Sequence, residues 1–288
     1  MNNWTVEHLS RNVTRVTIDV PSTVGWEQDF LLSSDRHHDN AHTKHELELK
    51  HLDQALEKNA GIIDAGDLHC AMQGKFDPRQ DRSALRDEYQ CGDYLDALVR
   101  EAGNFYKPYA DNFIVIGRGN HEQSILRRHE TDITERTAQA LRTLCPSSQV
   151  AAGGYGGYVI FRIKRAGSTH IVRLKYYHGA GGGGPVTRGV IQTARMAVYL
   201  PDADIVLTGH THDMWQVPIA RERVSVHGNV SHDEQLHVRA GTYKDEYEDG
   251  YGGWHVETMK PPKPLGAWWL RFNFTDKETL SWQTIRAT

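Results

Sequence analysis

Residues 113–122 read Phe-Ile-Val-Ile-Gly-Arg-Gly-Asn-His-Glu, an apolar run that changes abruptly into a polar cluster. Consecutive bulky apolar residues of this kind predict a short strand that is buried on both faces, as in a parallel sheet. The polar residues that follow predict a tight loop at the carboxyl end of that strand, which is where ligands bind in open α/β sheets. The stretch therefore predicts an α/β fold with a functional site at the strand ends.

The same arrangement recurs elsewhere in the chain. Short apolar runs precede Asp35-Arg36-His37, Gly66-Asp67 and Gly209-His210-Thr211-His212, and a lone histidine, His178, ends a further apolar stretch. Glycines before Asp67, Asn120 and His210 allow the sharp turns that such loops need. Because the strand ends meet at one edge of the sheet, we expect these side chains to converge.

Hydrophobic spacing predicts one domain over residues 1–288, with helices between strands in the first half and a β-rich C-terminal part. No linker is long enough to argue for two independent domains. Strands are predicted at residues 12–20, 30–34, 61–65, 113–116, 158–163, 171–177, 204–207, 223–227, 234–240, 268–274 and 280–285, and helices at residues 42–58, 83–100, 124–144 and 185–200.

Composition limits the classes of function. The formal net charge is -4, with 24% charged and 39% hydrophobic residues, which is typical of a globular protein and unlike a dedicated nucleic-acid binder. Cys70, Cys91 and Cys145 are too few for a four-cysteine zinc site and fit reduced thiols. With no secretory leader and no membrane-spanning apolar run, a cytoplasmic location without a membrane partner is expected.

The polar clusters supply a set of candidate metal ligands without a thiolate. Carboxylate oxygen and imidazole nitrogen suit two divalent transition metal ions, with manganese expected first and iron or zinc as alternatives. Two such ions would make a cationic site that attracts phosphate. The candidate ligands are Asp35, His37, Asp67, Asn120, His178, His210 and His212.

Asp67 and His121 have distinct candidate roles. Asp67 is the natural bridging ligand, since a carboxylate has two oxygens. His121 follows the candidate ligand Asn120, so it need not bind metal and could instead protonate a leaving oxygen. The alternative is a structural histidine beside the metals.

Taken in order, the motifs resemble the calcineurin-like metallophosphoesterase superfamily, whose pattern D-x-H, G-D, G-N-H-[DE], H and G-H-x-H runs here from Asp35 to His212. Residues 118–126 also resemble uncharacterised members common in phages. The resemblance implies a central β-sandwich flanked by helices, with metals at the carboxyl ends of strands. It implies one metal held by Asp35, His37, Asp67 and His212, and another held by Asp67, Asn120, His178 and His210.

The resemblance also implies an activity. The implied enzyme is a two-metal phosphoester hydrolase in which a metal-bridged hydroxide attacks phosphorus. Its catalytic residues would be Asp67, Asn120 and His121, with His121 as general acid and Glu122 supporting it. Protein phosphatases of the family carry an arginine shortly after the G-D motif, whereas Leu68 to Met72 follow here.

The missing arginine favours phosphodiesters of nucleotides or nucleic acid ends as substrates. Two alternatives stay open: a phosphomonoesterase acting on small molecules or phosphoprotein, and a metal-bound scaffold without turnover. The complete ligand set disfavours the scaffold. The natural substrate and the oligomeric state do not follow from the sequence.

Residues 241–266 predict a cap loop beside the metals, because structureless loops longer than about 12–15 residues are usually functional or disordered. The segment offers aromatic faces on which a nucleobase could stack, at Tyr243, Tyr247, Tyr251 and Trp254. The alternative is a packed surface loop. Arg118, Arg127 and Arg128 could contact phosphate, although for Arg127 and Arg128 a solvated helix face is the favoured interpretation. His42, His45 and His51 are expected at the surface of the first helix.

Overall fold

A computed structural model describes residues 4–21, 25–73, 77, 80–182, 184, 186–251, 253–276 and 278–288. It contains two β-sheets packed face to face, with helices on their outer faces. The strands are β1 (Trp4–Ser10), β2 (Val13–Asp19), β3 (Glu27–Ser33), β4 (Gly61–Asp64), β5 (Phe113–Ile116), β6 (Ala151–Ala152), β7 (Gly156–Arg165), β8 (Ser168–Tyr177), β9 (Ile205–Thr208), β10 (Trp215–Val224), β11 (Val230–Arg239), β12 (Trp268–Phe274) and β13 (Leu280–Arg286).

The helices are shorter and more numerous than the sequence predicts. They are α1 (His45–Glu57), α2 (Tyr94–Tyr106), α3 (Asn120–His129), α4 (Ile133–Leu144), α5 (Ile191–Tyr199) and α6 (Trp254–Glu257), with 3₁₀ turns at Arg82–Ala84, Asp87–Tyr89 and Lys107–Tyr109. None of the helices in the described part of the chain has the length and apolar character needed to cross a bilayer.

Sheet topology brings the functional strand ends together. The six-stranded sheet has the order β13-β12-β3-β4-β5-β6, and the seven-stranded sheet has the order β1-β2-β7-β8-β9-β11-β10. Strands β3 to β6 run parallel to one another. In the other sheet, β9 is parallel to both β8 and β11. The carboxyl ends of β3, β4, β5, β8 and β9 therefore open toward the same edge of the sandwich.

Aromatic side chains fill the space between the two sheets. The Phe30 ring of β3 lies 4.7 Å from the Phe161 ring of β7, and Phe161 lies 4.9 Å from Phe272 of β12, measured between centroids. A second core lies outside the six-stranded sheet, where Leu52 of α1 and Leu141 of α4 are fully buried. The predicted fold class, a β-sandwich flanked by helices, is confirmed.

Tertiary hydrogen bonds explain why the predicted helix at residues 83–100 is wrong in its first half. Ala84 accepts a backbone hydrogen bond from Ala41, and Arg86 donates one to Asp39. These bonds hold Leu85 and Arg86 in extended conformations. The helix therefore begins only at Tyr94.

The predicted helix at residues 124–144 is two helices. Glu130 adopts a left-handed conformation with φ of 54°, which ends α3. The Asp132 side chain then accepts a hydrogen bond from the Glu135 amide at 3.1 Å and starts α4. Two local signals, a cap and a turn, therefore override the continuous apolar spacing.

The remaining differences lie at sheet edges and at one helix start. The strand predicted at residues 223–227 is wrong, because β10 ends at Val224 and the Ser225 amide bonds the Asn229 carbonyl in a hairpin turn. β1, β6 and most of β10 were not predicted. The helix predicted at residues 185–200 begins at Ile191, and Pro185 lies outside the described residues.

Candidate metal centre

Backbone hydrogen bonds join the strand-end loops into one unit. The Asp35 amide bonds the Gly66 carbonyl at 2.9 Å, and the His37 amide bonds the Asp67 carbonyl at 3.0 Å. A left-handed backbone is uncommon outside glycine and clusters at functional sites. Most of the candidate ligands nevertheless adopt it, with φ of 54° at Asp35, 48° at His37, 55° at Asp67, 74° at His210 and 58° at His212.

Two glycines are required by close approach between loops. A Cβ at Gly119 would lie 1.9 Å from Asp67 Oδ1, and a Cβ at Gly209 would lie 2.0 Å from Ser34 Oγ. Neither distance is compatible with a side chain. Glycine at these positions lets the loops after β5 and β9 pack against the loops after β4 and β3.

Asp35, His37 and His212 form the first group of donor atoms, which we call site A. The His37 and His212 Nε2 atoms lie 3.2 Å apart. Asp35 Oδ1 lies 3.4 Å from His212 Nε2 and 3.8 Å from His37 Nε2. The other Asp35 oxygen accepts a 2.8 Å hydrogen bond from the His210 amide, which orients the carboxylate.

Asp67, Asn120, His178 and His210 form the second group, site B. His178 Nε2 lies 3.1 Å from Asp67 Oδ2 and 3.1 Å from Asn120 Oδ1. His210 Nδ1 lies 2.7 Å from the same Asn120 oxygen. His178 Nδ1 faces the Ala65 carbonyl at 3.2 Å, and because a carbonyl only accepts, Nε2 is the atom turned toward the other donors.

The donor atoms of each group have the spacing of ligands around one ion. Zinc binds imidazole nitrogen at about 2.0–2.1 Å, which places neighbouring ligand atoms roughly 3.0–3.5 Å apart. Ligand atoms of Asp35, His37 and His212, and those of Asp67, His178 and His210, lie within 4.8 Å of one another. Two imidazole nitrogens facing each other at 3.2 Å, as in site A, fit a cation between them. The residues present therefore fit two divalent metals.

The pKa shifts of His37 and Asp67 favour metal binding, whereas that of His178 opposes it. Burial lowers the pKa of His37 well below its ordinary value, and the neighbouring His121 and His212 imidazoles lower it further. His37 is therefore neutral, the form that binds metal. Burial raises the pKa of Asp67, but the His178 and His121 imidazoles outweigh it and hold that pKa well below its ordinary value. Burial also lowers the pKa of His178, yet Asp67 raises it to about 9, so a metal at site B competes with a proton there.

The Cys70 carbonyl, in the loop after β4, orients the His121 ring. His121 Nδ1 hydrogen-bonds this oxygen, which leaves Nε2 facing the centre at 3.7 Å from Asp67 Oδ2. The His121 amide also donates a 3.0 Å hydrogen bond to Asp67 Oδ1. The imidazole is only partly buried, so it borders the open side of the centre.

Glu122 has a different role from the one that the resemblance implies. Its buried carboxylate accepts backbone hydrogen bonds from Gly119 at 2.9 Å, His69 at 2.9 Å and Asp67 at 3.2 Å. Glu122 thus ties the start of α3 to the loop that carries Asp67. The expectation that it supports the His121 ring is wrong, because the Cys70 carbonyl fills that position.

Arg36 is a buried anchor that the sequence did not indicate. It lies between two candidate ligands, yet its side chain is fully buried and points away from them into the core. It donates to Asp64 Oδ2 at 2.9 Å and to Glu48 Oε1 at 3.0 Å. An arginine in a polar loop is usually exposed, so only the structure assigns it this anchoring role.

Two further side chains beside the centre were not predicted. Cys70 Sγ lies within 4.8 Å of ligand atoms of His37 and His121. Lys244 is 4% exposed, and its ammonium group lies 3.9 Å from the same sulfur and 2.6 Å from Glu246. No spacing rule connects residues so far apart in sequence, so neither could be identified without the fold.

The aromatic residues of the 241–266 segment differ in their exposure to solvent. Tyr243 is fully buried, its hydroxyl lies 3.0 Å from His51 Nδ1, and the Arg36 guanidinium lies 5.0 Å from its ring. Tyr243 is therefore a core residue, and the idea that it offers a stacking face is wrong. Tyr251 and Trp254 are 95% and 50% exposed. The expectation that His51 lies at the surface is also wrong, since it is buried against Tyr243.

No protein-family model matches the chain, and no curated protein sequence matches it. Similar solved structures include a conserved uncharacterised protein from Streptococcus pneumoniae TIGR4, a predicted phosphoesterase, at 11% identity over 91% of each chain with a TM-score of 0.33. A metallophosphoesterase from Sphaerobacter thermophilus is similar at 15% identity over 91% of this chain and 90% of its own, with a TM-score of 0.34. Wild-type Vps29 complexed with Zn²⁺ from Entamoeba histolytica is similar at 12% identity over 54% of this chain and 77% of its own, with a TM-score of 0.22. These likenesses are distant, so the function proposed below rests on the side chains at the strand ends.

Proposed function

We propose that this chain is a metallophosphoesterase of the calcineurin-like superfamily that uses two divalent metals to hydrolyse phosphodiesters of nucleotides or nucleic acid ends. One observation carries the proposal: site A and site B, each with a carboxylate and two imidazoles, lie side by side at converging strand ends. Their Asp and His donors suit manganese first, with iron or zinc as alternatives.

Each candidate ligand would have a defined task. Asp35, His37 and His212 would hold one ion, and Asn120, His178 and His210 the other, with Asp67 shared between them. Two such ions neutralise charge on phosphate oxygens and lower the pKa of bound water. The hydrogen bonds from the His210 amide to Asp35 and from the His121 amide to Asp67 keep both carboxylates oriented.

His121 is the proposed general acid. The hydrogen bond from Nδ1 to the Cys70 carbonyl fixes the ring, so Nε2 is the nitrogen that can give a proton to a leaving oxygen. We assign no metal-ligand role to His121 in site A or site B, and assign its Nε2 to the leaving oxygen instead. Its Nε2 lies 3.7 Å from Asp67 Oδ2, so it faces the place where the two sites meet.

A diester is favoured over a monoester because of the charge that a substrate must carry. A terminal monoester phosphate has an extra negative charge that needs further positive groups. The family arginine after the G-D motif is absent, and the buried Lys244 beside Cys70 is already paired with Glu246 at 2.6 Å. We propose in addition that residues 241–266 form a cap beside site A and site B, with Tyr251 and Trp254 as its exposed aromatic faces.

A panel assay tests the proposal. The purified chain is incubated with bis-p-nitrophenyl phosphate or p-nitrophenyl phosphate in added Mn²⁺, Zn²⁺ or Fe²⁺, with an EDTA control. The expected result is metal-dependent hydrolysis with a higher kcat/KM for the diester. The variant His210→Ala, prepared identically, reports contaminating phosphatase.

The outcomes separate the alternatives. A higher kcat/KM for the monoester under the same metal would instead favour a phosphomonoesterase. Bound metal without hydrolysis of either ester would leave the non-catalytic scaffold. Equal activity in the wild type and in His210→Ala would show that the measured hydrolysis does not arise at this site.

A further inference from the structure

A cavity of about 650 Å³ opens directly beside site B. This volume is typical of a small-molecule binding site. A larger, apolar cavity of about 860 Å³ lies between α5 and β10, and its lining includes no candidate ligand. The cavity beside site B differs because a candidate ligand forms part of its wall. Its lining residues are Asn120, Gln123, Ser124, Arg127, Arg128 and Tyr155.

Helix α3 runs from the candidate metal centre along this cavity. Asn120 is the first residue of the helix, and Ser124 and Arg127 follow at spacings that place them on the same face. With a rise of 1.5 Å per residue, Arg127 lies about 10 Å further along the helix axis than Asn120. The amino-terminal end of the helix, which carries partial positive charge, is the end at the centre. A chain of phosphates leaving site B would therefore follow a positively charged face.

Arg127 is the cation best placed to receive a ligand there. Its side chain is exposed, and among the residues that the structure describes no acidic group forms an ion pair with it. The neighbouring Arg128 lies 3.7 Å from the buried carboxylate of Asp77, so part of its charge is already compensated. An anion in the cavity would therefore contact the largely uncompensated guanidinium of Arg127 and the partly compensated guanidinium of Arg128.

Tyr155 makes the cavity wall continuous with the centre. Its hydroxyl donates a 2.9 Å hydrogen bond to the Gly179 carbonyl, and its ring packs edge-on against His178 at 5.5 Å between centroids. The wall is thus fixed by a residue that touches a candidate ligand. A molecule bound at site B would extend into this cavity without crossing another part of the protein.

We infer that this cavity is a subsite for a second phosphate group of the substrate, held chiefly by Arg127. The inference rests on the proposed function and deepens it, since it identifies the substrate as a nucleotide chain with a phosphate beyond the scissile one. A singly phosphorylated side chain or small molecule has no second phosphate to occupy this subsite. Guanidinium groups suit this task because they bind phosphate with paired hydrogen bonds.

The test compares two esters that differ in one group. The p-nitrophenyl ester of thymidine 5′-phosphate is prepared with and without a second phosphate on its 3′ oxygen, so the leaving group and the scissile bond are identical. Wild type should show a higher kcat/KM for the ester with the second phosphate. In Arg127→Ala the ratio of the two kcat/KM values should fall about tenfold, the usual order of a charge-assisted hydrogen bond.

Control variants separate a subsite from a damaged fold. Arg195→Ala removes an exposed arginine of α5 that does not line the cavity, and it should keep the wild-type ratio. Arg127→Lys should restore much of the preference because it keeps the charge. Added salt should reduce the ratio in wild type, since the cavity is open to solvent.

A binding measurement keeps this inference independent of turnover. Calorimetry of the Mn²⁺-loaded protein with thymidine 3′,5′-bisphosphate and with thymidine 5′-monophosphate should show tighter binding of the bisphosphate, and less difference in Arg127→Ala. If wild type hydrolyses neither ester, the proposed function fails and the affinities alone decide the subsite. An unchanged ratio and unchanged affinities in Arg127→Ala would overturn the subsite, whatever the activity.

Discussion

Replacing Arg36 with methionine should strongly destabilise the fold. The side chain is fully buried and hydrogen-bonds two carboxylates, Asp64 and Glu48, as well as the Ser33 hydroxyl at 3.0 Å. Methionine keeps much of the volume but removes the guanidinium from both carboxylates, which leaves Glu48 with only the His38 and His45 imidazoles as basic partners at 3.3 Å. Removing one partner of a buried ion pair typically costs about 3–5 kcal/mol.

The size of the effect can be read from thermal unfolding. For a chain of this length each kcal/mol corresponds to roughly 2–4 °C, so Tm should fall by about 6–20 °C. Circular dichroism measures this in EDTA, which removes any contribution from metal binding. Lys58→Met provides the matched control, because Lys58 pairs with Asp29 at 2.8 Å but is 36% exposed, and it should lower Tm much less.

A compensating variant tests the cause. If unpaired charge is responsible, the triple change Arg36→Met, Glu48→Gln and Asp64→Asn should recover part of the lost stability. The reasoning is refuted if Arg36→Met unfolds at the wild-type temperature. It is also refuted if the triple variant loses the sum of the separate effects, since the loss would then come from packing alone.

Three further predictions concern the acid, the pH dependence of stability and the cap. His121→Asn should keep its metals but cleave alkyl esters about 10²–10⁴-fold more slowly than wild type. The loss should be smaller for p-nitrophenyl esters, because their leaving group needs no proton. Equal losses for both esters would contradict the role of His121 as general acid. Burial lowers the pKa of His51 to about 4, below the value of roughly 6.5 in an unfolded chain. The unfolded state therefore takes up more protons than the folded state between these two pH values. The free energy of unfolding should fall as pH drops from about 6.5 to about 4. Urea unfolding across that range should show a flatter pH dependence for His51→Gln, and identical curves would count against the assignment. Because the exposed Trp254 ring is proposed to stack on a base, Trp254→Ala should reduce kcat/KM for a nucleotide diester by roughly fivefold or more relative to bis-p-nitrophenyl phosphate. Wild-type kcat/KM values for both substrates would show that the 241–266 segment is structural.

Local sequence patterns were sufficient to predict the structure where the burial of a residue depends on its own strand. The runs ending at Ser33, Asp64, Ile116 and Thr208 are buried strands because continuous apolar residues need cover on both faces. The polar residues after them could be placed at one sheet edge by topology alone. The convergence of the seven candidate ligands follows from that placement.

Patterns failed where contacts between distant segments decide the structure. Leu85 has helical spacing with later leucines, but a bridge to Asn40 holds it extended. Tyr243 lies in a segment with the composition of an exposed loop, but its contacts with the buried Arg36 and His51 place it in the core. The resemblance implies that Glu122 supports His121, its neighbour in sequence, whereas its carboxylate accepts hydrogen bonds from backbone amides of another loop.

The metal content of Asp67 variants shows whether site A and site B hold two ions that share this carboxylate. Purified wild type, reconstituted with Mn²⁺ and desalted, should carry up to two metal ions per chain by elemental analysis. Asp67→Ala should lose most of them because both sites share this carboxylate, and Asp67→Asn gives a second variant with nearly unchanged shape. Asp53→Asn, at an exposed aspartate of α1, should keep the wild-type content. An unchanged metal content in both folded Asp67 variants would rule out a two-metal centre that shares Asp67.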